Sequence, residues 1–337
     1  MIKADIEELL PIYNRCPELR NAKILITGAT GMIGSNLALF FQSLNIGIQL
    51  TLPVRSKNKA MEMFKGNYDG LTFIECDLVT YLRNLESHYD YIIHCACPTW
   101  GQYMSQFPVE TYTLVYQSTL GILEYAKSAK VRGIVYVSSI EYYGQVTSET
   151  MITEDFQGYI DMKSSRSSYP MGKRAAEFLC VAFAKEFNVP VRIARPTQTF
   201  ASSVSSSDNR VFNQFARSII NNEDIVLHTL GESAKPYCFI TDCIDALLCI
   251  LLKGKNGEAY NIANDETYTS IFALAHFLRD HFNPSINVRI EQHPDMGYAP
   301  VTKLIISSRK LQQLGWSPKY GLYEMFEKLI NYMRADN

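Results

Sequence analysis

The 337-residue chain contains no CxxC pair, no HExxH pattern and no histidines at zinc-finger distance from its cysteines. A structural or catalytic metal is therefore not expected, and the metal reading is none. Its longest apolar runs, such as residues 246–252, are far too short to cross a bilayer. The first residues, MIKADIEELL, are charged and lack the apolar core of a signal peptide, so the chain reads as cytoplasmic. Neither sign of charge is in excess. A net charge of −2 gives no reason to expect nucleic acid or an acidic membrane as partner. There is no internal repeat and no low-complexity tract. What remains is 47% hydrophobic and 20% charged, the balance of a soluble globular protein with a sizeable core. The eight cysteines are scattered. Most fall in apolar segments, where cysteine acts as a small buried hydrophobe. Cys95 and Cys97 would share one face of a predicted strand at 89–97 and are read as buried thiols.

The first informative stretch is residues 23–34. KILIT is a short buried strand that runs into Gly28-Ala-Thr-Gly31-Met-Ile-Gly34 and then a helical pattern, SNLALFFQSL. Strand, glycine turn and helix in this order form the context that makes a glycine motif credible. Glycines let the backbone approach a pyrophosphate, and the helix N-terminus offers it free N–H groups. The spacing is GxxGxxG rather than GxGxxG. Gly28, Thr30, Gly31, Met32, Ile33 and Gly34 are the candidate cradle for NAD or NADP. The second strand, 49–54, ends in Arg55-Ser56-Lys57 with no acidic residue to grip ribose hydroxyls. Arg55 and Ser56 could instead accept a 2′-phosphate, which leans towards NADP, although an arginine can also stack on adenine. The third strand, 71–75, is followed by Cys76-Asp77-Leu78. Asp77 can bond the adenine amino group or cap the next segment.

The second informative stretch is residues 164–177. Tyr169 and Lys173 stand four apart, one helical turn from each other on one face. A lysine ammonium beside a phenol favours the phenolate, and such a tyrosine can take a proton from an alcohol. Pro170 fits the first turn of a helix. A fifth strand, 133–138, delivers Ser138-Ser139-Ile140-Glu141-Tyr142-Tyr143-Gly144 at its carboxyl end, where ligands of open α/β sheets bind. Thr99 lies in the loop opened by Pro98 and Gly101, above the expected cofactor. A helix is read at 119–130 and a sixth strand at 189–194.

The alternation of strand and helix from 23 to 195 argues an α/β fold with a doubly wound parallel sheet, the Rossmann arrangement. Residues 1–21 read as a helical extension with Ile6, Leu9, Leu10 and Tyr13 on one side. Residues 22–200 read as the dinucleotide-binding domain, with contributions from 224–255. Residues 201–337 read as a smaller, interleaved α/β substrate domain. It would comprise helices at 211–221, 240–252, 270–281, 309–314 and 322–333 and strands at 224–230 and 259–263. The serine-rich run 201–207 reads as a loop.

Taken together, TGATGMIG at 27–34, Ser139 before Tyr143-Gly144, and Tyr169 with Lys173 resemble the extended short-chain dehydrogenase/reductase family. More narrowly they resemble its nucleotide-sugar epimerases, dehydratases and decarboxylases. The branch containing UDP-glucuronate decarboxylase is most similar, through HCACP at 94–98 and the YxxGKR helix start. Later matches include DNRVFNQF at 208–215 and FITDCIDAL at 239–247. The resemblance covers residues 22–333. It implies that Ser139 hydrogen-bonds the sugar hydroxyl being oxidised and that Tyr169 removes its proton. Lys173 would hold the nicotinamide ribose, Glu141 would handle protons in later steps, and Arg210 would grip the nucleotide diphosphate. It also implies a homodimer. Three positions depart from the pattern. Ile140 stands where acid-pair dehydratases have Asp. Lys235 stands for an arginine, keeping the charge but losing the bidentate grip. Ser118 stands for the usual Asn.

The leading reading is an enzyme that transiently oxidises the C4 hydroxyl of a nucleotide-diphosphate sugar with bound NAD(P), for net 4-epimerisation, uronic acid decarboxylation or dehydration. An NADP-linked reductase of a keto sugar or other carbonyl compound is the alternative, supported by Arg55. A dinucleotide-binding scaffold without activity is disfavoured by the presence of Ser139, Tyr169 and Lys173 together.

Overall fold

The structure, a computed structural model, describes residues 5, 7–146, 150–203, 208–292 and 301–336. Ile6 and residues 204–207 of the serine-rich run lie outside them. The chain begins α1 (Leu10–Tyr13), β1 (Lys23–Thr27), α2 (Met32–Ser43), β2 (Gln49–Val54), α3 (Lys57–Met63), β3 (Leu71–Glu75) and α4 (Leu78–Arg83). It continues with β4 (Tyr91–His94), α5 (Gly101–Gln106), α6 (Pro108–Ser128), β5 (Gly133–Val137), β6 (Met151–Ile152), α7 (Ser168–Phe187), β7 (Val191–Pro196) and β8 (Gln198–Phe200). The remainder is α8 (Val211–Asn221), β9 (Ile225–Leu227), β10 (Ala234–Phe239), α9 (Ile240–Lys253), β11 (Ala259–Ile262), β12 (Asn264–Ser270), α10 (Ile271–Phe282), β13 (Val288–Ile290), β14 (Ile305–Ile306), α11 (Arg309–Gln312) and α12 (Leu322–Asp336).

Seven parallel strands in the order β11-β7-β5-β4-β1-β2-β3 form the main sheet. Successive side chains of its central strands divide between two cores, as a period of two requires. Ile24 and Ile26 of β1, Ile93 of β4 and Val135 and Val137 of β5 enter one core, with α2 and α9. Leu25, Ile92, Ile134 and Tyr136 enter the other, with α6 and α7. Both faces are covered, so the strands read as continuous apolar runs. Each fully buried leucine or isoleucine contributes about 1.5–3 kcal/mol. Strand order reverses at β1, with β2 on one side and β4 on the other. The crevice at their carboxyl ends is the topological switch point, where ligands of such sheets sit.

Several boundaries differ from the sequence reading, each for a local reason. Among the described residues Asp5 and Glu7 are helical, and a separate short helix, Leu10–Tyr13, follows with Pro11 in its first turn, where proline is tolerated. Tyr13 still docks, donating to Asp245 Oδ1 at 2.6 Å and meeting Phe40 edge-on at 5.8 Å. β4 stops at His94, since its partner β1 turns away at Gly28. Cys95 and Cys97 therefore lie beyond the strand rather than on one face of it, and both are half-buried free thiols. α6 begins at Pro108, eleven residues before the expected helix. Its first turns leave Val109 and Tyr112 exposed, which hides the apolar periodicity. Within 224–255, β9 and β10 pair outside the main sheet, α9 packs against it, and β11 then adds its edge strand.

Beyond the main sheet, β8, β10 and β12 form a three-stranded sheet, and β6 pairs with β14. Asp242, in the first turn of α9, accepts the backbone N–H groups of Lys319 and Tyr320 and ties the C-terminal segment to the sheet.

Candidate active site

The glycine turn connects β1 to α2 at the switch point. Gly28 adopts φ +70°, and a Cβ there would lie 2.8 Å from the backbone N and Cα of Ala96. A Cβ on Gly34 would run into the Gly28 carbonyl. Only glycine allows the turn to sit this close to both the helix and the end of β4. Gly31 is the N-cap of α2 and no side chain caps it. The first-turn N–H groups of this twelve-residue helix thus remain available to an anion. This arrangement fits the pyrophosphate of a dinucleotide. Arg55, at the end of β2, is exposed and has no ion-pair partner among the described residues. Asp77 caps α4, accepting from the Thr80 N–H at 2.9 Å and the Thr80 hydroxyl at 2.7 Å. Leu78 is half-buried against the α6–α7 core, and Thr99 is exposed.

Beneath the crevice a hydrogen-bonded chain fixes the end of β4. Ser118 Oγ donates to the Leu114 carbonyl at 2.6 Å, so towards His94 Nε2, at 3.2 Å, it accepts. The imidazole proton is then on Nε2, and Nδ1 accepts from the Thr27 hydroxyl at 2.6 Å. Thr27 Oγ1 in turn accepts the Ala96 N–H at 3.2 Å. Burial, with the Lys173 charge adding to it, pushes His94 down to about 3 and keeps the ring neutral. Ser118 thus serves the end of β4 through His94.

α7 brings Tyr169 and Lys173 to the carboxyl end of β5, and both are buried. Lys173 Nζ donates to the carbonyl of Val137, the last residue of β5, at 2.8 Å. It also lies 5.6 Å from the centroid of the Tyr169 ring. Burial pushes the Tyr169 phenol well above its ordinary range. The charges of Cys97 and Glu141 add to this, while a hydrogen bond with Ser139 and the charge of Arg166 oppose it. Sequence spacing suggested that Lys173 would dominate the ionisation of Tyr169. In the folded chain burial is the largest influence on the phenol. Ser139 is half-buried and caps a 3₁₀ turn, Ile140–Tyr143, accepting from the Glu141 N–H at 3.2 Å.

That turn carries Glu141 close enough for its charge to act on Tyr169. Glu141 Oε1 accepts from Arg166 Nη2 at 2.7 Å. Lys235, on β10, has Glu141, Arg166 and Arg210 as charged neighbours. Burial holds its ammonium below the usual range, and it has no hydrogen-bond or ion-pair partner among the described residues. Arg210, the N-cap of α8, is gripped by Asp208 at 2.5–3.1 Å and donates to the Thr199 carbonyl at 3.3 Å. Counting formal charges, Arg166 with Glu141 and Arg210 with Asp208 cancel in pairs. Lys235, half-buried, is left without a paired carboxylate among the described residues, an arrangement that suits a bound anion. Among the described residues no group of three or more His, Cys, Asp or Glu is placed to hold a metal. None of their helices is long and apolar enough to cross a membrane.

The description of the NAD dependent epimerase/dehydratase family matches residues 24–263, spanning the glycine turn, the Ser139 turn, Tyr169 and Lys173. The chain belongs to this family. Members of the NAD dependent epimerase/dehydratase family are enzymes, and this chain is one of them. It is 28% identical over 314 residues to UDP-glucuronic acid decarboxylase 5 of Arabidopsis thaliana, covering 90% of this chain and 87% of the relative. Among solved structures, UDP-glucose 4-epimerase of Thermotoga maritima superposes with TM-score 0.79 at 20% identity, over 93% of this chain and 99% of that one. WbmF of Bordetella bronchiseptica, in complex with NAD+, gives 0.74 at 21% identity, over 95% and 94%. The doubly wound sheet is thus the fold of the family.

Within this family member, sequence reading missed Arg166, Thr27 and His94 as parts of the site. Arg166 sits in a three-residue 3₁₀ turn, Ser165–Ser167, which has no periodicity to detect. Its position one turn before Tyr169 was the available signal. Thr27 and His94 open the TGATGMIG and HCACP motifs, but nothing in the sequence gives either a contact with the other.

Proposed function

We propose that this enzyme binds a nucleotide-diphosphate sugar and transiently oxidises its C4 hydroxyl, with net 4-epimerisation or uronic acid decarboxylation as the outcome. The observation that carries the reading is the convergence of Ser139, Tyr169 and Lys173 at the carboxyl end of β5, with the half-buried cation Lys235 near Glu141. The decarboxylase relative and the UDP-sugar epimerase fold support the same class of substrate.

The dinucleotide, when bound, supplies the hydride acceptor. Gly28, Thr30, Gly31, Met32, Ile33 and Gly34 would cradle its pyrophosphate, with Asp77, Leu78 and Thr99 along its length. Ser139 orients the C4 hydroxyl and Tyr169 takes its proton. Lys173, whose Nζ donates to the Val137 carbonyl, would hold the nicotinamide ribose. Arg210, released from Asp208, and Lys235 hold the diphosphate. Once a C4 ketone exists, the neighbouring carboxylate of a uronic acid can leave as CO2, and Glu141 would manage protons there. A homodimer through α6 and α7 is supported by the exposed Val109, Tyr112, Phe178 and Val181.

The test is to denature freshly purified protein and identify the released dinucleotide by mass spectrometry. Stoichiometric NAD or NADH supports internal return of the hydride, and an NDP-sugar screen without added cofactor should then give product. An empty site, or weakly held NADP, supports the second reading, a reductase of a keto sugar. The exposed, unpaired Arg55 favours that reading, since a 2′-phosphate would find a cation there.

A further inference from the structure

Arg166 is assigned no role by any motif, yet it stands between the two groups on which the proposed chemistry depends. Its Nη2 donates to Glu141 Oε1 at 2.7 Å. Its guanidinium carbon lies 5.9 Å from the centroid of the Tyr169 ring. Its Nη1 is buried without a hydrogen-bond partner among the described residues, so Glu141 is the carboxylate that holds it. The 3₁₀ turn Ser165–Ser167 runs directly into α7, which places Arg166 one turn ahead of Tyr169 and on the side facing Glu141. We propose that Arg166 is a positioning residue for Tyr169: it pins the Glu141 carboxylate and balances that negative charge beside the phenol that must ionise.

The physical argument is one of sign. A base at Tyr169 has to lose its proton in a buried place, and burial already opposes the phenolate. The charged and titratable groups facing it are Cys97 after β4, Tyr136 on β5, Glu141 on the 3₁₀ turn, Arg166 before α7 and Lys173 on α7 itself. Of these, the Glu141 carboxylate raises the Tyr169 phenol and the Arg166 guanidinium lowers it. A carboxylate can therefore be kept next to the tyrosine only if a cation accompanies it. Arg166 supplies that cation from 2.7 Å, while Lys235 acts on Glu141 without a bond to it. The pair is partly open to solvent, which limits its worth to stability but not its effect on a neighbour that is itself buried.

This inference rests on the reading of Tyr169 as base, so its test has one readout with turnover and one without. In the first, NAD-loaded enzyme receives UDP-glucuronate and C4 oxidation is followed in single turnover from pH 5.5 to 9.5. Arg166→Gln should move the acid limb of the profile upward by about one pH unit, a tenfold loss at fixed pH below the limb, with KM changed less than about threefold. Adding Glu141→Gln to Arg166→Gln should restore the rate of the first step to within about threefold of the parent, and Arg166→Lys should recover part of the loss. In the second readout, tyrosine labelled with 13C at Cζ is followed by NMR in the NAD-loaded protein, with Tyr169 assigned by its absence in Tyr169→Phe. Its titration should move to higher pH in Arg166→Gln and back in the double variant. A single cooperative urea transition with the parent's m-value shows that each variant is folded. An unmoved titration, or a double variant no better than Arg166→Gln, overturns the proposal. If no NDP-sugar is oxidised by the parent while the NMR titration behaves as expected, the reading of the reaction fails and the role of Arg166 stands.

Discussion

Two carboxylate–guanidinium pairs flank the turn that carries Ser139 and Glu141, and they are built in opposite ways. Glu177 and Arg195 are each 4% exposed. Arg195 reaches both Glu177 oxygens at 2.7–3.1 Å, the Tyr143 hydroxyl at 2.9 Å and the Glu154 carbonyl at 2.7 Å. Ser138 donates to Glu177 at 2.5 Å, and Tyr143 donates to Asn261 at 2.6 Å. Burial alone would favour a neutral guanidine, but Glu177 outweighs it and holds Arg195 charged. Arg166 and Glu141 share one hydrogen bond and are 34% and 40% exposed. The first pair is satisfied from every side and locks β5, α7, β7 and β11 to the Tyr143 end of the turn. The second leaves capacity unused at the Glu141 end, where the proposed substrate would arrive. One turn of backbone thus has a fixed end and an adaptable end, and Glu141, the carboxylate proposed to handle protons, is on the adaptable one.

The comparison can be broken most severely at the buried pair. Arg195→Met leaves the Glu177 carboxylate uncompensated and should cost about 3–5 kcal/mol in urea denaturation. Glu177→Leu combined with Arg195→Met removes both charges and should recover a large part of that loss. A single variant as stable as the parent would show that the pair holds nothing together. At the adaptable end the effects should fall on binding. Lys235→Met should weaken UDP by about 1.5–3 kcal/mol in calorimetry, tenfold or more, because a hydrogen bond to a charged group is lost. Lys235→Arg should retain most of the affinity. Undiminished UDP binding in Lys235→Met would remove Lys235 from the diphosphate site. The smallest change is expected in the stability of Arg166→Gln, about 0.2–1 kcal/mol by denaturation, as befits a half-exposed pair. A cost approaching that of Arg195→Met would erase the distinction between the two ends.

How much of this was legible in the sequence follows the same division. The fixed frame could be read, because β1, the Gly28–Gly34 turn and α2 obey a local grammar of period and glycine spacing. Tyr169 and Lys173 could be read from one interval on one helix. The adaptable end could not be assembled, since Glu141, Arg166, Arg210 and Lys235 come from four separate segments and meet only through the fold. Arg166 sits in a turn too short for any pattern. The electrostatic order at Tyr169 was also hidden. Spacing places Lys173 beside the phenol, but only the folded chain shows that a carbonyl occupies the ammonium and that burial dominates. Short pairings such as β6 with β14 escaped for a plainer reason, since two-residue strands have no period.

The central claim is that Tyr169 supports transient oxidation at C4 with return of the same hydride. Its most direct test uses UDP-glucuronate carrying deuterium at C4, turned over by enzyme with its own bound dinucleotide and followed by mass spectrometry and NMR. The account predicts a decarboxylated or epimerised sugar that retains the deuterium at C4, and no product from Tyr169→Phe, a general-base loss of about 10²–10⁴-fold. Product with deuterium lost to solvent, or undiminished turnover by Tyr169→Phe, would contradict it.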